Sequence, residues 1–226
     1  CVRRLSRLSE ALQRTPGAAR EEAPIGGASL SGLAHALKSP YLINVSLFLL
    51  LFAITSTFLY FQQAEIAKTY FADRGARTAF FASVDLWVNV LTLGAQLFVT
   101  GRTIKWLGVG LPFLSIAGFA TLAWLPTIGA LVTIQVTRRA AHFAFARPSR
   151  EVLFTVVPRE DKYKAKSFID TVLYRLGDQA GAWSYAGLGL LGLGMTGVSI
   201  VAVPLSILWL VNGLWLGRKQ RALELK

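Results

Sequence analysis

FARPSREVLFTVVPREDKYKAKSFIDTVLYRLGDQAG, residues 145–181, decides how this chain must fold. It carries Arg147, Arg150, Glu151, Asp170, Arg175 and Asp178 between two strongly apolar flanks, whereas charge elsewhere is concentrated at the ends and in short connections. A charged side chain at the centre of a membrane helix costs roughly 2.5–3.5 kcal/mol even on lenient insertion scales, so a cluster of them must face a polar cavity or one another. The segment therefore reads as a helix, a basic connection and a second helix. It is the functional element, and the rest of the chain is its housing.

The composition supports a membrane setting. Of 226 residues, 54% are hydrophobic and the mean hydropathy is +0.49, above the roughly 45–50% apolar share of a soluble domain. The formal net charge of +12 does not mark a nucleic-acid binder, because the basic residues are not gathered on one soluble face with stacking aromatics. Cys1 is the single cysteine and there are two histidines, so neither an internal disulfide nor zinc-type ligand spacing is expected. No metal, cofactor or catalytic residue is expected. A first residue of Cys rather than Met suggests a partial chain.

Outward from the central segment, six apolar stretches are each long enough to cross ~30 Å of hydrocarbon at 1.5 Å per residue. They are placed at 40–64, 79–100, 106–124, 127–157, 164–192 and 195–217. The predicted fold is an all-α membrane protein with six transmembrane helices. Residues 1–38 form a cytoplasmic segment in which Val2, Leu5, Leu8 and Leu12 recur at helical spacing among Arg3, Arg4, Arg7 and Arg14, followed by a flexible linker. Residues 39–217 form the bundle, and 218–226 a cytoplasmic tail. The amino-terminal segment, the 101–106 and 158–166 loops and the tail hold 16 of the 24 Lys and Arg residues, against Lys68, Arg74 and Arg77 in the opposite loops. That asymmetry places both termini in the cytoplasm.

Polar residues fall on particular faces. At 100° per residue, Asp85, Asn89, Thr92 and Gln96 share one side of the second span, and Asn44, Thr55 and Gln62 one side of the first. In the fourth span Gln135, Arg139, His142 and Arg150 make a stripe with Arg147 at its edge, and Pro148 is expected to bend the helix. In the fifth, Ser167, Asp170, Tyr174, Asp178, Gly181 and Tyr185 line one side. The third and sixth spans carry no charge within 107–123 and 196–216 and read as lipid-facing supports. Stripes of Asn, Thr and Gln serve equally as helix–helix glue, whereas the charges of the fourth and fifth spans point first to a substrate or gating cavity, with static ion pairs as the alternative. A cavity with Arg139, Arg147 and Arg150 favours an anionic substrate, because the guanidinium fork matches phosphate and carboxylate. Asp85 and Asp178, with Asn89, Gln96 and His142, are candidates for coupling or gating.

The polar, polar, apolar, polar, polar, apolar order resembles one half of a major facilitator transporter, in which helices 1, 2, 4 and 5 surround the path. Gly101-Arg102-Thr103-Ile104-Lys105-Trp106-Leu107-Gly108 is similar to that family's Gly-x-x-x-Asp-Arg-x-Gly-Arg loop, without its Asp. Arg147-Pro148-Ser149-Arg150-Glu151, then Lys162-x-Lys164-x-Lys166-x-x-Ile169-Asp170, then Leu176-Gly177-Asp178 resemble the ATP/ADP translocase family of bacterial and plastid nucleotide antiporters. The resemblance implies substrate-binding roles for Arg150, Glu151, Lys166 and Asp170, a nucleotide as the small anionic substrate, and a bacterial inner membrane with its lipids as surroundings. It does not extend to Asp178, where the family pattern has Lys. The basic start is similar to the central loop of facilitators, which implies a preceding six-helix half. Two other classes compete. A membrane enzyme finds no H-E-x-x-H, G-x-S-x-G or Walker-type loop here. The alternatives of a sensor or scaffold built on a transporter half, and of a facilitator-type carrier of a non-nucleotide substrate, stay open.

Overall fold

The computed structural model describes Leu37, residues 39–99 and residues 110–224. The amphipathic start, the linker and the Gly101–Gly108 loop lie outside the described residues. Among those described, six helical rods succeed one another and there is no strand. Helix α1 spans Pro40–Tyr70, α2 Arg74–Val99 and α3 Gly110–Trp124; α4 covers residues 128–153, α5 residues 159–190, and α6 Met195–Glu224.

The boundaries have local causes. Ser39 caps α1 by accepting from the Tyr41 N–H, with Pro40 in the first turn where its missing N–H costs nothing. Asp73 accepts from the Ala76 N–H at the start of α2, and Thr127 from Ala130 at the start of α4. The turn from α5 to α6 needs Gly192, whose φ of +78° is costly for any residue with a Cβ.

Three of the rods, Pro40–Tyr70, Arg74–Leu97 and Met195–Leu223, are long and apolar enough to cross a membrane, and Gly110–Trp124 is a shorter apolar helix. Helices α4 and α5 are long but charged, and each is interrupted by a π-helical turn, at His142–Ala146 and Ile169–Leu173. The α6 helix runs on through Arg218, Lys219 and Arg221, beyond the span limit at 217.

Helix α1 is the hub, packed by α5 and α6, while α3 lies along α6 and α2 along α4. One apolar cluster, with Tyr41, Leu42, Phe154, Ile169 and Leu216, fills the end where α4 turns into α5. Another, with Phe58, Phe119, Leu122, Leu131 and Ala202, fills the opposite end. Between them Leu51, Phe52, Leu111 and Trp209 form the middle layer. The α5–α1 contact depends on Gly177 and Gly181, one turn apart. A Cβ on the first would sit 2.6 Å from the Ala53 Cβ, and on the second 2.9 Å from the Thr57 Cβ. This is the small-xxx-small approach that brings two membrane helices into backbone contact. By contrast, α2 turns Leu86, Trp87, Leu93 and Leu97 outward.

Candidate functional site

The end of the bundle holding the 154–158 connection is closed by the cluster of Tyr41, Leu42 and Phe154, and a cavity of about 800 Å³ lies between α1, α2, α4 and α5. Its walls come from α1 (Phe52, Ser56, Thr57, Tyr60, Phe61, Gln63), α2 (Phe81, Asp85), α4 (Gln135, Arg138, Arg139, His142, Phe143, Arg147) and α5 (Tyr174, Asp178, Gln179, Ala182). Among the described residues neither α3 nor α6 contributes to the wall. A second groove of about 770 Å³ between α2 and α4, lined by Asn89, Thr92, Gln96, Phe143, Ala144, Arg147 and Pro148, adjoins it through Phe143 and Arg147.

The most buried charge in the site is Arg138, 3% exposed. Its Nε donates to Ser115 Oγ (2.8 Å), one terminal nitrogen to Ser56 Oγ (3.0 Å) and the other to Thr55 Oγ1 (2.9 Å). The guanidinium also lies 5.3 Å from the Phe52 ring centre and 5.9 Å from that of Trp209, within cation–π range. Each hydroxyl donates its own proton to a carbonyl of its own helix: Thr55 to Leu51, Ser56 to Phe52 and Ser115 to Leu111. Three neutral oxygens from α1 and α3 thus hold a cation on α4. Arg139, beside it, pairs with Asp85 of α2 at 2.5 Å, partly exposed. Gln135 donates to Gln63 at 2.7 Å, joining α4 to α1. His142 stacks on Phe52 with ring centres 4.4 Å apart, Arg147 lies over Phe143, and Asp178 is hydrogen-bonded by Thr57.

The remaining charges of α4 and α5 sit elsewhere. Arg150 faces Asp170 at 3.4 Å, and Lys166 pairs with Glu151. These four residues lie toward the closed end and are absent from the cavity wall. The π turn sets the facing of Arg147. At His142–Ala146 the Arg147 N–H bonds to the His142 carbonyl five residues back, a widening that accommodates Pro148, which has no N–H to give and whose ring crowds the carbonyl of Ala144. The extra residue rotates everything beyond it by roughly 100° relative to a straight helix. Arg147, expected at the edge of the stripe, moves onto it, whereas Arg150 stays within roughly 20° of His142 by angle and misses the wall because it lies farther along the helix, beside Asp170 of α5. The irregularity at Pro148 is therefore a change of phase built into the preceding turn.

Asp85, Arg139, His142, Arg147 and Asp178 share the cavity, while Asn89 and Gln96 line the adjoining groove. On α1 the polar residues divide. Thr55 serves Arg138, Gln62 donates to the Met195 carbonyl and Ser199 of α6, and Asn44 donates to its own Pro40 carbonyl. The supports α3 and α6 also reach inward, with Ser115 at Arg138 and Trp209 fully buried beneath it. Tyr185 donates to Glu65 at 2.7 Å, a tie between α5 and α1 that no sequence pattern announced. Arg138 itself was legible only as one more in-span arginine. Its signal was the run of hydroxyls, Thr55, Ser56 and Ser115, on otherwise apolar helices.

Rods apolar enough to cross a membrane, around a cavity that carries Arg138, Arg139 and Arg147, make this an integral membrane protein. The chain is similar to ADP,ATP carrier protein 1 of Chlamydia trachomatis, 22% identical over 208 residues that cover 79% of this chain and 39% of the carrier. It is likewise similar to ADP,ATP carrier protein 1 of Chlamydia pneumoniae (22% over 204 residues, 77% and 40%) and of Chlamydia muridarum (22% over 180 residues, 69% and 34%). The chain spans about two fifths of the length of these curated relatives. No family model matches it, and no solved structure matches it.

Proposed function

We propose that this chain is one six-helix half of a secondary carrier that exchanges nucleotides, ADP and ATP among them, across a membrane by alternating access. The observation that carries the reading is the cavity. Arg138, Arg139 and Arg147 converge there between α1, α2, α4 and α5, in a chain distantly similar to ADP,ATP carriers over most of its length. The placement of α3 and α6 outside the wall supports a major facilitator-type half. In this reading Arg147 and Arg139 meet the phosphates, with Asp85 releasing Arg139 as the substrate enters. Asp178, His142, Asn89 and Gln96 adjust the path. The pairs Arg150–Asp170 and Glu151–Lys166, at the closed end with the Tyr41–Phe154–Leu216 cluster, latch α4 to α5.

Asp85, 56% exposed at its side chain, and its partner Arg139 stand on an open wall. Insertion costs argue that a second bundle covers that wall, a preceding half of the same polypeptide being the arrangement we favour. The closed end faces the cytoplasm with both termini, in a bacterial inner membrane.

The test is exchange by the complete gene product in proteoliposomes loaded with ADP. Uptake of labelled ATP that requires internal nucleotide is expected. Exchange of another organic anion with no response to nucleotides would overturn the substrate, and no exchange of any anion would overturn the carrier. Cysteines placed at Thr127 and Lys162 should label from opposite sides of the membrane, and labelling from one side would defeat the topology.

A further inference from the structure

Among the charges on the cavity wall Arg138 is the buried one, and no ion pair joins it to a carboxylate among the described residues. Asp85 is taken by Arg139, Asp178 is hydrogen-bonded by Thr57 and attracted to Arg175, and Glu65 accepts from Tyr185. A guanidinium has five N–H donors. Ser115, Ser56 and Thr55 account for three, one on each nitrogen, which leaves one N–H on each terminal nitrogen. Those two donors are free to meet oxygens of an anion, the partner a guanidinium binds most strongly. A cation held out of water by neutral hydroxyls and aromatic faces is also short of counter-charge, because a nearby opposite charge is what most offsets its desolvation.

We propose that Arg138 is the anion-anchoring residue of this cavity, and that its counter-charge is supplied by the ligand, through a phosphate, diphosphate or carboxylate group seated against its two remaining N–H donors. The inference rests on the carrier reading above and deepens it by assigning the buried end of the ligand. Arg139 and Arg147 then contact the more exposed part. The hydroxyls of Ser56, Thr55 and Ser115 hold the fork in place before the ligand arrives, so little rotamer freedom is lost on binding.

The competing role for Arg138 is a pin joining α1, α3 and α4. Two variants separate the roles in the purified complete gene product, with the thermal midpoint titrated with pyrophosphate, citrate, ATP and adenosine. Ser56→Asp places a carboxylate beside Arg138 and supplies the counter-charge internally. Arg138→Gln removes the charge. Pyrophosphate and ATP, but not adenosine, are expected to raise the wild-type midpoint. Ser56→Asp should keep or raise the midpoint without ligand and bind pyrophosphate about tenfold or more weakly, with Arg138→Gln showing the same loss.

Wild-type affinity for pyrophosphate in either folded variant overturns the proposal, as does a wild-type protein that responds to no anion. If Arg138→Gln does not fold, Ser56→Asp decides alone. If citrate or pyrophosphate binds in an Arg138-dependent way while nucleotides neither bind nor exchange, the anion site stands and the nucleotide reading falls. If both variants exchange ATP normally, the nucleotide reading stands and this inference falls.

Discussion

Arg138 and Arg150 lie on the same helix, three turns apart, and are held by opposite means. Arg138 is buried and surrounded by Thr55, Ser56, Ser115 and two aromatic faces, all neutral. Arg150 is partly exposed and stands beside the carboxylate of Asp170, with a second ionic pair, Lys166 and Glu151, in the same region. Where carboxylates already face the cations, the charges cancel within the protein and serve packing. Where hydroxyls and aromatic faces alone surround the cation, its charge is not cancelled by a carboxylate, which is the basis of the proposed anion anchor. The same side-chain type is therefore held differently in the middle of α4 and near its end.

The largest effect that would sharpen this contrast is expected from Arg138→Met. Because each hydroxyl that holds Arg138 already donates to its own helix, the substitution orphans no buried donor. Exchange should fall by about 100-fold, ~2.7 kcal/mol of barrier, while the thermal midpoint changes little. A matching collapse of folding and transport would break the distinction between a waiting charge and a structural one.

Next in size is packing near the cavity. Gly181→Val should destabilise the bundle by about 1–3 kcal/mol, because the first added carbon already falls within 3.1 Å of the Ile54 Cα and 2.9 Å of the Thr57 Cβ. Thermal unfolding in detergent checks this, with Gly187→Val, which meets open space, as the neutral control.

Smaller again is the ionic latch. Arg150→Ala and Asp170→Ala should each cost more than half of what the double variant costs, with a coupling of roughly 0.5–1 kcal/mol in a double-mutant cycle. Additivity would mean that the two do not feel each other. The smallest effect is expected at Lys166→Ala, whose partner Glu151 has a side chain 51% exposed. Solvent screening should hold that loss to about 0.5 kcal/mol or less, and a loss as large as that at Arg150 would show that the closed end is drier than its exposure implies.

Much of the housing was legible in the sequence. The rods follow from apolar runs, and for α4 and α5 from amphipathic ones, bounded by Ser39-Pro40, Asp73, Thr127, Pro158 and Gly192, each of which starts or stops a helix for a local reason. The order of polar and apolar rods anticipated that α3 and α6 would stay off the cavity wall, since an uncharged helix gains nothing from facing a polar space. The fate of individual polar residues was less legible. Gln62 and Thr55 belong to one stripe by angle, yet one ties α1 to α6 and the other serves Arg138. Which role each takes depends on what the neighbouring helix presents, and helical periodicity carries no information about neighbours.

By itself, then, the sequence determined an all-helical chain with rods apolar enough for a membrane and a cationic segment that such a setting must shelter, because hydrophobic runs, caps and insertion costs act locally or by composition. Only the tertiary structure decided which arginine fills which role. The π turn at His142–Ala146 inserts one residue into the helical count and brings Arg147 onto the face shared by Gln135, Arg139 and His142. The close approach of α1, α3 and α4 then surrounds Arg138 with hydroxyls from residues 82, 83 and 23 positions away in sequence. Periodicity assumes a straight helix and a uniform environment, and the site is built where both assumptions fail.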